Sequence, residues 1–236
     1  AMPAGAESQP PVCEGNAMDV EQTTLSNLLS ENRTFAPPAG LSAEANLGGA
    51  GVYDVGDRLE FWEQQAQRLQ WSEPWQQVLD WSNAPFAKWF VGGRLNVTQS
   101  CLDRHVAAGN GDRPALIFEG EPGDSRTITY AQLLADVSRA ANALTALGIH
   151  AGDRVAIYLP LIPEAVVAML ACARIGAVHS VVFGGFSAEA LRSRIEDAGA
   201  VLVITADGGY RRGSAFALKP AVDEALKGEH HVENVL

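Results

Sequence analysis

The sequence predicts an α/β protein with layered, parallel-rich sheets and flanking helices. Three observations carry this prediction. Short apolar runs typical of buried strands alternate with helical patterns in the second half of the chain, the links between them are short, and Gly or Pro stands at helix boundaries. Because parallel strands need a crossover to join them, strand–helix–strand order with short links indicates a sheet that is covered on both faces.

The first 53 residues differ in composition from the rest of the chain. They carry six acidic side chains and a single basic one, Arg33, and Pro-Pro and Gly-Gly pairs interrupt them. Their longest apolar cluster, 25–29, is too small to offset the entropy of ordering the chain unless it lies on another surface. We therefore predict an acidic, mostly flexible arm over 1–53 with at most one short docked piece.

Residues 54–112 are expected to form a helical, Trp-rich segment. A helix is predicted from an N-cap at Asp54 to about Gln70. Its buried side would consist of Leu59, Phe61, Trp62 and Leu69. All five tryptophans lie between positions 62 and 89. Such a cluster is compatible with carbohydrate or base stacking, but large aromatic side chains more often pack an irregular segment onto a core, and we adopt that interpretation.

Residues 113–236 carry the strongest pattern. Strands are predicted at 114–118, 126–130, 155–159, 177–183, 200–205 and 232–236. Helices are predicted from an N-cap at Thr129 to Gly148, from Pro163 to Gly176, from Ser187 to about Ala198, and over 220–227. The last strand is followed by no turn, cap or polar tail, so we expect the opening part of a longer protein. In a chain truncated in this way, an apolar edge of the sheet is expected to be exposed and to favour self-association.

Composition excludes several classes of function. With 17 basic and 28 acidic side chains, the chain lacks the excess of Lys and Arg that binding to nucleic acid or an anionic membrane requires. Its longest apolar run, 165–173, is shorter than a membrane span. Cys13, Cys101 and Cys172 share no close spacing, which supports neither a disulfide framework nor a metal site. A secretory signal begins with a basic region, and no basic residue precedes Arg33. We expect a cytoplasmic protein.

Two glycine-containing loops are the candidate binding residues. The loop 183–187 leaves the carboxyl end of a predicted parallel strand, where α/β sheets bind ligands, and enters a helix whose N-terminus favours anions. The loop 207–214 follows the next strand on the same edge and contains Arg211 and Arg212, whose guanidinium groups match phosphate oxygens. Gly-Gly turns and surface arginines also occur without ligands, so the pattern alone leaves this role open. Standard catalytic and metal-binding motifs are absent.

Two runs of sequence resemble a known family. They are KWFVGGRLN at residues 88–96 and YLPLIPEAVVAMLACARIGAVHSVVFGGFS at residues 158–187. Both resemble the acetyl-coenzyme A synthetases of the AMP-forming acyl-adenylate superfamily, and the likeness extends over 54–236. Propionyl-coenzyme A synthetases are the nearest alternative. The resemblance implies that 54–112 is the N-terminal segment of such an enzyme and that 113–236 begins its AMP-binding domain, so the chain would be an incomplete N-terminal domain.

The resemblance implies a two-step ligase that makes acetyl-coenzyme A from acetate, ATP and coenzyme A (CoA). Acetate and ATP would give acetyl-AMP and pyrophosphate, and the CoA thiol would then displace AMP. Mg²⁺ and cationic side chains would offset the phosphate charge. The family's ATP, acetate and Mg²⁺ sites and its catalytic residues would lie beyond Leu236, so we expect no catalytic residue here and no activity of this chain alone. The competing, non-enzymatic interpretation is a module that binds a CoA-like nucleotide.

The resemblance also assigns residues to CoA. In the family, the Arg-Gly-rich stretch after the ITAD strand binds the nucleotide end of CoA, which makes Arg211 a phosphate contact. The residues that would line the same pocket are Phe183, Gly184 and Gly185. The family commonly has a second base three residues after the first, where this sequence has Ser214. Either Arg212 supplies the second contact or CoA binds more weakly.

Overall fold

The computed structural model describes residues 34–46 and 56–236. The chain separates into two compact units, 1–55 and 56–236. In the first unit, helix α1 (Ala39–Glu44) has no buried residue. Most of the predicted arm and the predicted N-cap Asp54 lie outside the described residues.

The second unit alternates strands with helices. Its helices are α2 (Arg58–Ala66), α3 (Arg104–Ala107), α4 (Tyr130–Ala146), α5 (Pro163–Ile175), α6 (Ala188–Ala198) and α7 (Lys219–Ala225), with a π-helical turn over Gln99–Asp103 before α3. Its strands are β1 (Gln77–Asp80), β2 (Lys88–Val91), β3 (Pro114–Glu119), β4 (Ser125–Thr129), β5 (Arg154–Tyr158), β6 (Val178–Val181), β7 (Leu202–Thr205), β8 (Gly208–Arg211), β9 (Ser214–Ala217) and β10 (Asn234–Val235). Across the residues that the structure describes, each helix is too short or too polar to cross a membrane.

Four strands form a parallel sheet in the order β10-β7-β5-β6. The chain passes from β5 through α5 to β6 and then returns through α6 to β7, on the opposite side of β5. The pairs β1–β2, β3–β4 and β8–β9 are antiparallel and lie outside this sheet. The parallel sheet with intervening helices confirms the predicted α/β fold.

Helices cover both faces of the sheet. Val155 and Ile157 of β5 belong to the core that includes α4 and α5 residues, whereas Ala156 and Tyr158 belong to the core that includes α6 and α7 residues. Each of these four side chains is at most 2% exposed. Burial on both faces explains why β5 appears in the sequence as a continuous apolar run and not as an alternating pattern.

The boundaries of the longer helices follow the predicted residues. At α4, the Thr129 hydroxyl accepts the Gln132 backbone N–H at 3.3 Å, and Gln132 Oε1 accepts the Thr129 N–H at 2.9 Å. Helix α5 begins at Pro163 and is followed by Gly176, whose φ of 78° suits glycine at a helix end. The Ser187 hydroxyl caps α6. These four predictions are confirmed.

The first helix of this unit differs from the prediction. Helix α2 begins at Arg58, with Asp57 as its N-cap, and ends at Ala66 instead of near Gln70. The Asp57 carboxylate accepts two backbone N–H groups from the first turn, which is why the helix begins there. The predicted buried side is also wrong, since these side chains are 39% to 45% exposed: Leu59, Trp62 and Leu69.

The tryptophans do not all pack in the same way. Trp71, Trp75 and Phe90 form a cluster with ring centroids 5.0 to 5.7 Å apart. Trp71 Nε1 donates to the Ala66 carbonyl oxygen at 2.8 Å, at the end of α2. This cluster agrees with the interpretation that aromatic packing fixes the segment. The interpretation is wrong for Trp81, whose side chain is 55% exposed.

A polar network ties the Trp-rich segment to the carboxyl end of α5. Asn96 Nδ2 donates to two carbonyl oxygens of the last turn of α5, at 3.2 and 3.0 Å. The Arg174 guanidinium donates two hydrogen bonds of 2.9 Å to the Asp103 carboxylate and one of 3.3 Å to Thr98, which is fully buried. The hydrogen bonds from Arg174 hold the pKa of Asp103 below its ordinary value.

Replacement of Arg174 by Met is expected to lower the free energy of unfolding by about 1–2 kcal/mol at neutral pH, because charged hydrogen bonds between partly exposed groups are lost. The lowered native-state pKa of Asp103 contributes stability above the unfolded-state pKa, and this contribution is lost as the pH falls through the native-state pKa. The difference between the original protein and Arg174→Met should therefore shrink below about pH 4. Urea unfolding at a series of pH values, followed by circular dichroism, measures it.

Arg94→Met is the matched control, because it removes an exposed ion pair with Glu73 at 3.2 Å. This variant should change the free energy of unfolding by no more than about 0.5 kcal/mol. A cost for Arg174→Met that equals the control's, or that stays constant as the medium is acidified, would contradict the prediction.

Candidate functional site

The two predicted binding segments meet at the carboxyl edge of the parallel sheet. They border an open pocket of about 420 Å³. Its lining residues are Tyr158, Gly184, Gly185, Phe186, Arg211, Arg212, Ser214, Phe216, Ala217 and Ala221. After β5 the chain continues to α5 on one face of the sheet, whereas after β7 it continues to α7 on the other. Open α/β sheets bind ligands where adjacent strands send their connections to opposite faces in this way.

Close packing explains the two glycines after β6. A Cβ atom on Gly184 would lie 3.1 Å from the Leu159 carbonyl oxygen. One on Gly185 would lie 2.4 Å from Arg211 Nη1 and 2.7 Å from Phe183 Cε1. Because real Cβ atoms do not approach other atoms so closely, Gly185 is required for Arg211 and Phe183 to lie where they do.

Tyr158 fixes the end of the same loop. Its hydroxyl donates to the Phe186 carbonyl oxygen at 2.8 Å, and its side chain is 2% exposed. Burial raises the pKa of Tyr158, so the hydroxyl stays protonated at neutral pH and keeps donating. Tyr158 is not among the residues that were predicted to line the pocket. The available signal was a polar hydroxyl on the last residue of an otherwise apolar strand.

Residues 207–214 were expected to form a loop, and this expectation is wrong. They include β8 and the start of β9, which pair antiparallel with Arg211 opposite Ser214. The turn between them is two residues long, Arg212 with φ of 55° and Gly213 with φ of 76°. Positive φ at both positions is typical of a type I′ hairpin turn, which usually carries Asn-Gly or Asp-Gly. An Arg-Gly pair therefore gives little sequence signal for the hairpin.

The Arg211 guanidinium lies over the Phe183 ring, with its Cζ 5.1 Å from the ring centroid. Phe183 meets Phe186 edge to face at 5.8 Å, and Arg194 of α6 lies over Phe186 at 4.4 Å. These four side chains form a continuous row in which each cation is attracted to an aromatic face. The Phe183 side chain is 51% exposed, so it remains accessible to a flat ligand. Arg194 was missed because one Arg in an amphipathic helix carries no distinctive signal.

Four of the five predicted residues line the pocket, and Phe183 lies beside it in contact with Arg211. Among the described residues, no carboxylate lies within ion-pair distance of the Arg211 or Arg212 side chain. Their charges are therefore available to an anionic ligand. The Ser214 hydroxyl lines the pocket and donates to the Arg211 carbonyl oxygen at 3.4 Å.

The arrangement of these side chains suits binding. The pocket offers two guanidinium groups, the Ser214 hydroxyl and a wall of aromatic rings, whereas the Tyr158 hydroxyl is bonded to the Phe186 carbonyl oxygen. A ligand that matches these groups combines a flat ring with phosphate oxygens. Within 34–46 and 56–236, no group of three or more His, Cys, Asp or Glu side chains is placed to hold a metal ion.

Comparison with known proteins agrees with the resemblance. Residues 54–101 match the family model described as acetyl-coenzyme A synthetase N-terminus, and residues 103–236 match the model described as AMP-binding enzyme. The chain is 66% identical over 215 residues to the acetyl-coenzyme A synthetase of Streptomyces avermitilis. It is 64% identical over 215 residues to that of Streptomyces coelicolor and 62% identical over 208 residues to that of Mycobacterium bovis.

These alignments cover 86% to 90% of the chain. They cover 32% to 33% of each relative, so the chain spans about a third of the length of these proteins. Because the family model described as AMP-binding enzyme matches more than half of the residues of this chain, the chain belongs to the AMP-binding enzyme family.

Proposed function

We propose that this chain is the N-terminal part of an AMP-forming acetate–CoA ligase and that its sheet-edge pocket binds the nucleotide end of CoA. One observation carries the proposal: Arg211, which has no carboxylate partner among the described residues, lies over Phe183 against Gly185, at the edge where such sheets bind ligands. The 66% identity to a protein named acetyl-coenzyme A synthetase supports the reaction.

The proposed reaction has two steps. In the first, an acetate oxygen attacks the α-phosphorus of ATP, so that acetyl-AMP forms and pyrophosphate leaves. In the second, the CoA sulfur bonds to the acetyl carbon, AMP leaves with the electron pair of the broken C–O bond, and the thiol proton passes to solvent. Mg²⁺ supplies charge compensation on the phosphates in the first step. We place the Mg²⁺, ATP and acetate sites in other parts of the enzyme.

The pocket serves the second step by holding CoA. Arg211 contacts a phosphate through its planar guanidinium, and the exposed Phe183 ring offers an apolar face to the adenine. Arg212 lines the same pocket, on the hairpin that carries Ser214 in place of the family's second base. This placement supports Arg212 as the second phosphate contact. The pocket contributes binding energy and orientation, and bond making belongs to other residues.

We extend the proposal to organisation and location. An acidic arm over 1–53 precedes a Trp-rich segment over 54–112, and the AMP-binding domain starts at 113. We place the enzyme in the cytoplasm, because Cys101 and Cys172 are free thiols. Burial raises the pKa of Cys172 to about 11, so this thiol stays protonated and unreactive.

The reaction is tested by acetate-dependent exchange of labelled pyrophosphate into ATP, with the product of the uninterrupted reading frame. We expect exchange to be faster with acetate than with propionate or butyrate, and CoA to convert the adenylate to a thioester. The chain of 236 residues alone should give no exchange, because its pocket carries no group for adenylation.

Other outcomes identify the alternatives. Exchange that is fastest with propionate would indicate a propionyl-CoA synthetase. No exchange with any of the three acids, combined with saturable binding of CoA, would contradict the ligase and support a non-catalytic binding module.

Replacement of Arg211 by Met in the same enzyme is expected to raise the KM for CoA about tenfold, the size of effect that follows loss of one charged hydrogen bond. Pyrophosphate exchange should not change, because CoA takes no part in the adenylation step. Steady-state kinetics with varied CoA, together with the exchange assay, measure both quantities.

Arg139→Met is the matched control for net charge, since it removes one cation from α4, on the other side of the parallel sheet. This variant should leave the KM for CoA unchanged. An Arg211→Met enzyme with an unaltered KM for CoA would contradict the assignment of the pocket.

We also propose that the 236-residue chain self-associates through β6. In the part of the chain that the structure describes, β6 pairs with β5 alone, and Val178 and Val181 are 54% and 55% exposed. An exposed apolar edge strand favours pairing with a second chain. The weight-average sedimentation coefficient should therefore rise with protein concentration, and Val181→Lys should suppress the rise.

Ile117→Lys is the control for this substitution, because it removes an exposed apolar side chain from β3 with the same change of charge. It should not suppress association. A sedimentation coefficient that does not depend on concentration would refute the proposal.

A further inference from the structure

The Arg212-Gly213 turn is held by a side chain from a distant part of the sequence. Glu121 Oε1 accepts the Arg212 backbone N–H at 3.1 Å, and Glu121 Oε2 accepts the Gly213 N–H at 3.0 Å. Glu121 lies in the turn between β3 and β4, 91 and 92 residues before its partners. Both carboxylate oxygens are used, and both partners are consecutive main-chain donors.

This contact satisfies a specific need of the turn. Arg212 has a φ of 55°, a left-handed conformation that side chains with a Cβ atom rarely adopt. In such a turn, consecutive N–H groups point to the same side and form a small cradle for an anion. The Glu121 carboxylate occupies this cradle and so stabilises a backbone conformation that Arg would otherwise disfavour.

The hairpin depends on contacts along its strands and at its turn: Phe216 of β9 packs against the core that includes α6 and α7 residues, and Gly209 of β8 lies against Pro160. Strands β8 and β9 pair only with each other among the described residues, and an isolated two-stranded hairpin is marginally stable. At its base, the Asp207 carbonyl oxygen accepts the Leu218 N–H at 2.9 Å. At its turn, the contacts that the structure shows to another element are the two from Glu121.

The position of the turn determines where Arg211 lies. Arg211 is the last residue of β8 and directly precedes the turn. Its guanidinium reaches Phe183 and fills the space beside Gly185, in which no Cβ atom would fit. Movement of the turn would therefore move this guanidinium out of the pocket.

We propose that Glu121 is a positioning residue for CoA binding: by holding the β8–β9 turn, it keeps Arg211 and Arg212 at the pocket. This inference rests on the proposed function. Glu121 itself does not line the pocket, and its carboxylate carries the same sign of charge as the ligand. The positioning role and simple electrostatics therefore predict opposite signs. Removal of a negative charge alone would tighten the binding of CoA, whereas release of the turn would weaken it.

The test compares Glu121→Ala, Glu121→Gln and Glu119→Ala in the product of the uninterrupted reading frame. Glu119→Ala is the matched control, because Glu119 is an exposed carboxylate on β3, in the β3–β4 hairpin whose turn carries Glu121. We expect Glu121→Ala to raise the KM for CoA by about 5- to 10-fold, with kcat at saturating CoA and pyrophosphate exchange unchanged. Glu121→Gln retains one acceptor oxygen and should raise the KM by about 2- to 3-fold. The control should leave it unchanged.

Each outcome decides between the alternatives. A KM for CoA that is unchanged or lowered in Glu121→Ala, in an enzyme whose KM responds to Arg211→Met, would overturn the positioning role and leave the proposed function intact. If neither Glu121→Ala nor Arg211→Met alters the KM for CoA, the assignment of the pocket to CoA itself fails. If Glu121→Ala misfolds and pyrophosphate exchange falls for that reason, the KM for CoA is measured in Glu121→Gln instead. An unchanged KM for CoA in Glu121→Gln then overturns the inference.

Discussion

Strand β5 contributes side chains to both faces of the parallel sheet, and those from Val155 to Tyr158 are all buried. A strand of this kind is stable only if a helix covers each face, because its apolar side chains would otherwise meet water on one side. The two crossovers through α5 and α6 meet this requirement by passing to opposite faces. At the carboxyl edge of the sheet, the connections after the adjacent strands β5 and β7 leave to opposite faces, and the pocket lies at this edge. The pocket is thus a geometric consequence of how the core is buried.

The loop after β6 and the β8–β9 hairpin, which border the pocket, are held mainly by main-chain contacts and close packing. Tyr158 Oη fixes the carbonyl group of Phe186, and Gly209 lies so close to Pro160 that a Cβ atom there would meet its ring at 3.0 Å. The Glu121 carboxylate fixes the turn of the β8–β9 hairpin. Because these contacts leave the guanidinium groups uninvolved, the two pocket arginines can remain free for a ligand while their backbone is constrained. A preformed site of this kind loses less conformational entropy when a ligand binds.

The sequence predicts the parallel core well, because the signals there are local. Pro163 and Gly176 delimit α5, Ser187 caps α6, and uninterrupted apolar runs mark the strands. The sequence also brings Phe183, Gly185 and Arg211 to one edge, since the carboxyl ends of parallel strands meet there. The β8–β9 hairpin was missed because its turn carries Arg where Asn or Asp is usual.

The contact of Glu121 with the hairpin turn could not be predicted from one sequence. A glutamate in a turn has no periodic pattern, and its partners lie 91 and 92 residues away. The start of α2 was misplaced because Asp54 and Asp57 are both residues of a type that caps helices, and the helix starts where the Asp57 carboxylate accepts two backbone N–H groups of the first turn.

The chain carries a net charge of −11, yet the proposed ligand is an anion. These facts are compatible because exposed charges are screened over about 8 Å at physiological ionic strength, so the local arrangement decides the affinity. Arg211 and Arg212 line the pocket, and Arg194 lies next to Phe186 at its border. The nearby Glu121 carboxylate is directed at main-chain N–H groups, which spread its charge over two hydrogen bonds. A carboxylate used in this way shapes a cationic pocket without forming an ion pair with the arginines that the proposed ligand would contact.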